Sequence, residues 1–387
     1  MKKGYYNNPM HPYQRYAAEK QTEIVALIRE MAECESPSNA PEAVNRMAEL
    51  LVERTADIGT AERVKAAGFG DHVRIEFDLG GAAEGQILAI GHSDTVWPLG
   101  TLERMPFREA EGRLWGPGVL DMKSGLAFFI YAMRGLRALR APVRRKIALW
   151  VVSDEEAGSP SSRELTETEA KRSDYVLVLE PGAGLAGKLK TSRKGVGHYT
   201  VLVEGCASHA GVDFENGASA IVEAAKQVVE MASWTGTKHG ITVNPGVIQG
   251  GTRPNVIAAE AGIDVDARAA RMDDAAWLDR KFRALKPFDE RCALRIAGGF
   301  NRPPMERTEK IAGLFAKARR IAQELGIEIE ESSTGGGSDG NFTAALGVPT
   351  LDGLGGAGEG AHAANESILV DRIAKRTALL MGLVARL

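Results

Sequence analysis

The sequence predicts a layered α/β/α domain interrupted by a small ferredoxin-like βαββαβ unit. Three observations carry this. Through the first half of the chain, short apolar runs of strand length alternate with segments of helical spacing, the pattern of a sheet covered on both faces. From Gly195 the order changes to strand, helix, strand, strand, helix, strand, the order of an open-faced sandwich. After Arg302-Pro-Pro the first pattern returns. The expected division is one domain built from residues 1–193 and 303–387, with 194–302 inserted into it.

Taken in order, residues 15–33 and 41–56 have helical spacing, with Ile24, Leu27, Ile28 and Met31 on one face and Val44, Met47, Leu50 and Leu51 on another. Residues 72–79 alternate like a half-buried strand, and 86–90 form an apolar run of the kind found in a central strand. Residues 121–139 read as a helix, with Leu126, Phe129, Ile130, Met133 and Leu136 facing inward. Runs at 146–152 and 175–179 are further buried strands, separated by a polar helix. In the insert the expected elements are strand 199–204, helix 218–231, strands 241–248 and 256–267, helix 275–285 and strand 292–296. Helix 308–325, strand 327–331, a glycine-rich loop and a closing helix 370–387 complete the chain. There is no internal repeat and no low-complexity linker.

Composition narrows the function. The 387 residues are 44% hydrophobic and 26% charged, the profile of an ordinary globular protein. A formal charge of −3 without a basic block argues against nucleic acid as a partner. No apolar run is long enough to span a membrane. The two lysines near the N-terminus have no apolar stretch behind them, so no secretory signal is read there and a cytoplasmic location is expected. Cys34, Cys206 and Cys292 are distant from one another and odd in number, which fits a reducing compartment and not a thiolate metal site. A transition metal would need nitrogen and oxygen ligands from the seven histidines and the carboxylates.

Five motifs concentrate such ligands. His92-Ser-Asp94 follows the apolar run 86–90, and side chains two apart on extended chain point the same way, so Asp94 can take the second ring N–H of His92. Asp121 opens a helix after the glycine-rich Gly116-Pro-Gly118; on its own it reads as an N-cap. Asp154, Glu155 and Glu156 end the strand 146–152, where open α/β sheets bind ligands, and three adjacent acids there call for a cation. Glu180 ends the strand 175–179. His362 lies in the glycine-rich loop Gly355–Glu366. Each motif alone has a plain structural explanation. Together, two histidines and several carboxylates at strand ends make a ligand set suited to Zn²⁺, with enough carboxylates for a bridge and a proton acceptor.

The ordered set His92-x-Asp94, Asp121, Glu155-Glu156, Glu180, His209 and His362 resembles the zinc aminoacylase and carboxypeptidase superfamily, and most of all its carboxypeptidase G-like members. The resemblance runs from about residue 20 to the C-terminus. It implies a metallohydrolase with two Zn²⁺ per subunit, Co²⁺ or Mn²⁺ being able to substitute. It implies His92 and Glu180 on one ion, Glu156 and His362 on the other, Asp121 bridging, Asp94 orienting His92, and Glu155 as the general base. It also implies a cis peptide at Asp121–Met122, and a dimerisation or lid role for the insert. His209, in Ser-His-Ala-Gly, then polarises the scissile carbonyl across a homodimer interface. Asn255 and Arg268 match residues that hold the substrate carboxylate, and Lys188 and Arg302 fall where cations face a glutamate side chain. Pro117 stands where many members carry arginine, a feature shared with carboxypeptidase G-like sequences. The reaction expected is hydrolysis of the amide bond of an N-acyl amino acid or a C-terminal amino acid. The alternatives are a deacetylase or dipeptidase of neutral or basic specificity, and a binding protein that has lost the chemistry.

Overall fold

The computed structural model describes residues 10–80, 84–238 and 240–387. The N-terminal stretch read above for a signal segment lies, through residue 9, outside the described residues. The chain forms two compact units. One comprises residues up to Thr191 with Arg307–Ser333 and Ser338–Leu387; the other comprises Ser192–Glu306 with Thr334–Gly337. The joins stand two to four residues from the expected 193/194 and 302/303, and 334–337 go with the insert.

The larger unit is built on a six-stranded sheet in the order Gly59–Val64, His72–Phe77, Lys146–Val152, Gln86–His92, Tyr175–Val178, Thr350–Leu351. The last four strands are parallel, and the first two add antiparallel pairs at one edge. Strand alternation sorts the side chains into two cores. Ile87, Ala89, Leu149, Val151 and Leu177 join the helical layer of Ile24, Ile28, Phe129, Met133 and Leu380. Leu88, Ile90, Ala148, Trp150, Val176 and Val178 face the other way with Ala170. Burial on both faces explains why these strands read as continuous apolar runs.

Several boundaries differ from expectation. The segment 15–33 is two helices, Pro12–Glu19 and Gln21–Glu33. The strand expected at 327–331 lies later, at Glu331–Thr334, because Ile327 N–H closes the preceding helix on Ala322 O at 2.8 Å. The helix expected from Asp121 begins at Ser124. Before it, Val119–Lys123 form one wide turn in which Asp121 (φ −114°, ψ 94°) leaves helical geometry. The edge strand Gly59–Val64 and the hairpin of Arg108–Ala110 with Arg113–Trp115 were not anticipated, since neither has a clean apolar alternation.

The insert is a four-stranded antiparallel sheet in the order Thr242–Gly250, Glu260–Ala269, Gly195–Glu204, Ala293–Arg302, with helices Ala220–Ala232 and Met272–Arg283. Second, third, first, fourth is the split-βαβ order predicted from the element sequence. Its core holds Val201, Val203, Ile263, Val265, Met231 and Leu278, with Tyr199 stacked on Phe282 at a ring separation of 3.8 Å.

Candidate metal centre

The ligand motifs meet at the C-terminal ends of the parallel strands. His92 closes the fully buried strand Gln86–His92. Its Nδ1 lies 2.9 Å from the carbonyl of Asp94 and 3.5 Å from that residue's carboxylate. The backbone carbonyl is therefore the nearer acceptor, a change from the expected carboxylate contact. The Asp94 carboxylate instead receives the backbone N–H of Glu155 (3.2 Å) and Glu156 (3.1 Å) and the hydroxyl of Ser38 (2.6 Å). Asp94 thus fixes both the histidine and the acidic turn. With Nδ1 donating to the carbonyl, Nε2 of His92 is left to face Asp121 Oδ1 at 3.1 Å and Glu180 Oε1 at 3.7 Å.

On the other side of Asp121, His362 Nε2 lies 3.3 Å from Asp121 Oδ2 and 3.1 Å from Glu156 Oε1. Two triads result, His92–Asp121–Glu180 and Asp121–Glu156–His362, and in each the ligand atoms lie within 4.8 Å of one another. Asp121 belongs to both. His362 adopts φ +62°, a region in which a residue with a side chain is rare and which marks sites held by their surroundings. The Asp121–Met122 peptide is cis.

Close backbone packing aligns these segments. A Cβ on Gly125, after Asp121, would stand 2.1 Å from the carbonyl of Leu179, and one on Gly355, in the His362 loop, would stand equally close to the same oxygen. Leu179 precedes Glu180, so glycine is needed where two ligand segments press on the strand end that carries a third.

The electrostatics favour a cation. Hydrogen bonds to Asp121 and Glu156 raise His362 to about 10. Burial opposes charge on His92, but its bonds to Asp121 and Asp94 outweigh burial and hold it well above the usual imidazole range. Burial also works against the Asp121 carboxylate, yet the two imidazoles hold it well below the usual range. The cluster thus gathers protons between its carboxylates. Imidazole nitrogen and carboxylate oxygen, with one shared carboxylate, are the donor set of a two-zinc site, and these residues fit it.

The remaining expected residues lie elsewhere. In the insert, His209 is exposed and its Nδ1 accepts from the N–H groups of Gly211 (3.1 Å) and Val212 (3.2 Å), which leaves Nε2 as the ring's donor. Asn255 is exposed beside it, its carbonyl accepting from Ala210 N–H at 3.0 Å. Arg268 gives its fork to Asp266, with both bonds at 2.9 Å, and a further N–H to Gly335 O. Arg302 ends a strand and is only 6% exposed. In the larger unit, Lys188 is paired with Glu330 at 2.5 Å.

One organising residue escaped sequence reasoning. The fully buried Glu366 accepts N–H bonds from Gly118 (2.9 Å), Leu120 (2.9 Å) and Asp121 (3.0 Å), and from the Trp97 indole (2.8 Å). It pins the loop that presents Asp121. Burial raises its carboxyl and the four donors pull it back. The only sequence signal was the set of amides over Gly118–Asp121 that need an acceptor, and the acceptor lies some 245 residues away.

Comparison with known proteins places the chain in a family. The chain is 30% identical over 351 residues to carboxypeptidase G2 of Pseudomonas sp. (strain RS-16), covering 89% of this chain and 84% of that protein. It is 28% identical over 345 residues to succinyl-diaminopimelate desuccinylase of Paraburkholderia xenovorans (strain LB400), covering 84% and 89%. Its fold is that of the aminopeptidase PepT of Bacillus cereus, with TM-score 0.77, 22% identity and coverage of 94% and 98%. It also matches an M20 family metallo-carboxypeptidase, Sso-CP2, of Sulfolobus solfataricus, with TM-score 0.72, 18% identity and coverage of 94% and 100%. Residues 88–386 match Peptidase family M20/M25/M40, and with two ligand triads meeting at one aspartate the chain belongs to that family of metallopeptidases and is a hydrolase.

Proposed function

We propose that this protein is a two-zinc amidohydrolase that cleaves the amide bond next to a free carboxylate, in N-acyl amino acids or at the C-terminal residue of a peptide. The observation that carries the reading is Asp121, shared by the His92–Glu180 and Glu156–His362 pairs. Bound ions would supply Lewis acidity toward the carbonyl and make water acidic near neutral pH. The chain's own residues do the rest. Glu155, beside the ligand Glu156, takes the proton of the attacking water and returns it to the leaving nitrogen. His209 offers Nε2–H to the carbonyl oxygen as charge develops there. Asn255 and Arg268 hold the substrate carboxylate, a guanidinium being suited to it once Arg268 shares or releases the fork that it gives to Asp266. Co²⁺ or Mn²⁺ would serve in place of zinc.

In this reading the protein is a homodimer formed through the insert, and His209 serves the partner's site. The support is an exposed apolar face: Ile221, Val222 and Val229 on helix Ala220–Ala232, with Val247 and Ile248 on the edge strand Thr242–Gly250. An uncovered edge strand flanked by apolar side chains is a pairing surface.

Lys188 and Arg302 would read a second carboxylate on a glutamate-type substrate, the carboxypeptidase G-like specificity. A second reading, specificity for neutral or basic side chains, is favoured by the engagement of Lys188 with Glu330 and the burial of Arg302. Metal analysis with a panel of N-acetyl, N-benzoyl and folyl-type amides of each amino acid tests the proposal. Two ions bound with no turnover of any amide would overturn it in favour of a binding protein.

A further inference from the structure

The turn that carries Glu155 and Glu156 is held at its far end by a contact the mechanism above does not use. After strand Lys146–Val152 the chain reverses over Ser153–Ser162. Ser153 N–H donates to Nδ1 of the buried His72 at 3.1 Å, and Ser153 Oγ donates to Gly70 O. The Asp154 carboxylate closes the turn ahead of helix Arg163–Lys171, accepting from the N–H of Ser161 (2.7 Å) and Ser162 (3.2 Å). The Asp154 carbonyl accepts from both Ala157 (3.2 Å) and Ser159 (2.8 Å). A shift of Ser159 is therefore passed to the backbone between 154 and 157.

Ser159 is an unusual residue for its place. Its φ is +59°, the left-handed region that favours glycine, and it is 1% exposed. A serine at such a position needs a reason, and its hydroxyl supplies one. Oγ donates to Asp339 Oδ1 at 2.6 Å, within the short range of a hydrogen bond to a carboxylate, and Asp339 is itself 2% exposed. Asp339 leads into helix Gly340–Ala345, beside Ser338, whose hydroxyl donates to the buried Asp352 at 2.7 Å. The acceptor thus sits on a fixed platform remote in sequence from the turn.

We infer that Ser159 and Asp339 are positioning residues, their buried hydrogen bond fixing the 154–159 turn so that Glu155 meets the water and Glu156 meets its metal. The inference rests on the two-metal reading for what the turn presents, but the brace itself can be measured without it. The decisive variant is Ser159→Gly, which removes the hydroxyl while placing at φ +59° the residue that tolerates it best, so the fold is retained.

In a two-step Co²⁺ titration followed by visible absorption, Ser159→Gly should weaken one of the two sites roughly 10-fold or more, the usual scale for losing a supporting partner. The other site, on His92 and Glu180, should keep its affinity. With the best amide of the panel kcat should fall while KM holds. Asp339→Asn, which keeps an acceptor oxygen, should retain more of both properties than Asp339→Ala. Hydrogen exchange on the metal-free full chain reads the brace directly: amides 154–162 should exchange faster in Ser159→Gly, and amides 86–92 should not. Unchanged exchange over 154–162 overturns the proposal, as does equal weakening of both metal sites with a lowered Tm. If exchange changes as expected but the wild type binds fewer than two ions or hydrolyses no amide, the brace stands and the two-metal reading is what fails.

Discussion

The two units present their functional groups in opposite ways. In the larger unit the ligand atoms face one another, and their segments are locked by hydrogen bonds from behind. Asp94 holds Glu155 and Glu156, Glu366 holds the Asp121 loop, and glycines let backbones meet at Leu179. In the insert the backbone is equally regular, but His209 and Asn255 are exposed, and so are Ile221, Val222 and Val229 on one helix and Val247 and Ile248 on the edge strand. The difference separates two kinds of site. The candidate metal ligands converge within one unit, whereas the insert presents exposed donors and exposed apolar side chains.

The strongest way to break this comparison is Asp121→Asn. Because Asp121 belongs to both triads, its loss should empty both sites and reduce turnover to background, while substitutions in the insert leave metal content intact. Metal analysis after gel filtration decides it. Retention of two ions, or loss of only one, removes the bridging role. Within the same unit, Glu155→Gln should keep both ions while kcat falls by about 10²–10⁴-fold, the range for a lost general base. Glu156→Gln should lose metal instead. The reverse pattern would exchange the two roles.

For the insert the sharper test is complementation. His209→Ala should lower kcat by about 10²–10³-fold, the scale of one oxyanion donor, with metal content unchanged. If His209 serves a partner's site, mixing His209→Ala with Glu155→Gln under conditions that exchange subunits should restore activity, since one site of the mixed dimer has both groups. Demonstrated exchange without recovery would place the histidine in its own chain's site or outside catalysis.

What the sequence revealed follows the same division. Strands buried on both faces announced themselves as apolar runs, and the motifs of His92, Glu155-Glu156 and Glu180 end or follow them; Asp121 and His362 sit in glycine-rich loops, and their grouping into two triads came from the family resemblance. The insert's strand and helix order was equally plain. Hidden were contacts that join distant segments through groups with no local signature. Glu366 is one glutamate among many until three amides and an indole are seen to converge on it. Ser159 reads as a turn serine, and only its positive φ and its bond to Asp339 set it apart. At Asp121 the spacing starts the helix three residues too early, and only the cis peptide implied by the resemblance at Asp121–Met122 marked the break. The apolar spacing from Leu126 onward is perfectly helical, and spacing does not report where a backbone departs from the helix to present a ligand.

The smallest predicted effect concerns the residues expected to read a glutamate side chain, where the structure limits what the sequence suggested. Arg302 is too buried for a clean test: its stem lies close under Gly337, where an added Cβ would stand 2.8 Å from Arg302 Cδ, so truncation would disturb packing as well as charge. Lys188 is the better probe. Its side chain is 39% exposed and already paired with Glu330, itself 67% exposed, so a substrate carboxylate must compete with an existing partner in solvent. Exposed ion pairs contribute about 0.2–1 kcal/mol, which caps the preference Lys188 can supply at about fivefold. We therefore expect N-acyl-glutamate to exceed its glutamine isostere in kcat/KM, and Lys188→Ala to reduce that ratio by no more than this. The effect should shrink further in high salt, as screening weakens exposed pairs. A wild-type ratio of one would favour the neutral or basic specificity. A collapse of the ratio by two orders of magnitude in Lys188→Ala would mean that Lys188 leaves Glu330 and meets the substrate in a desolvated pocket.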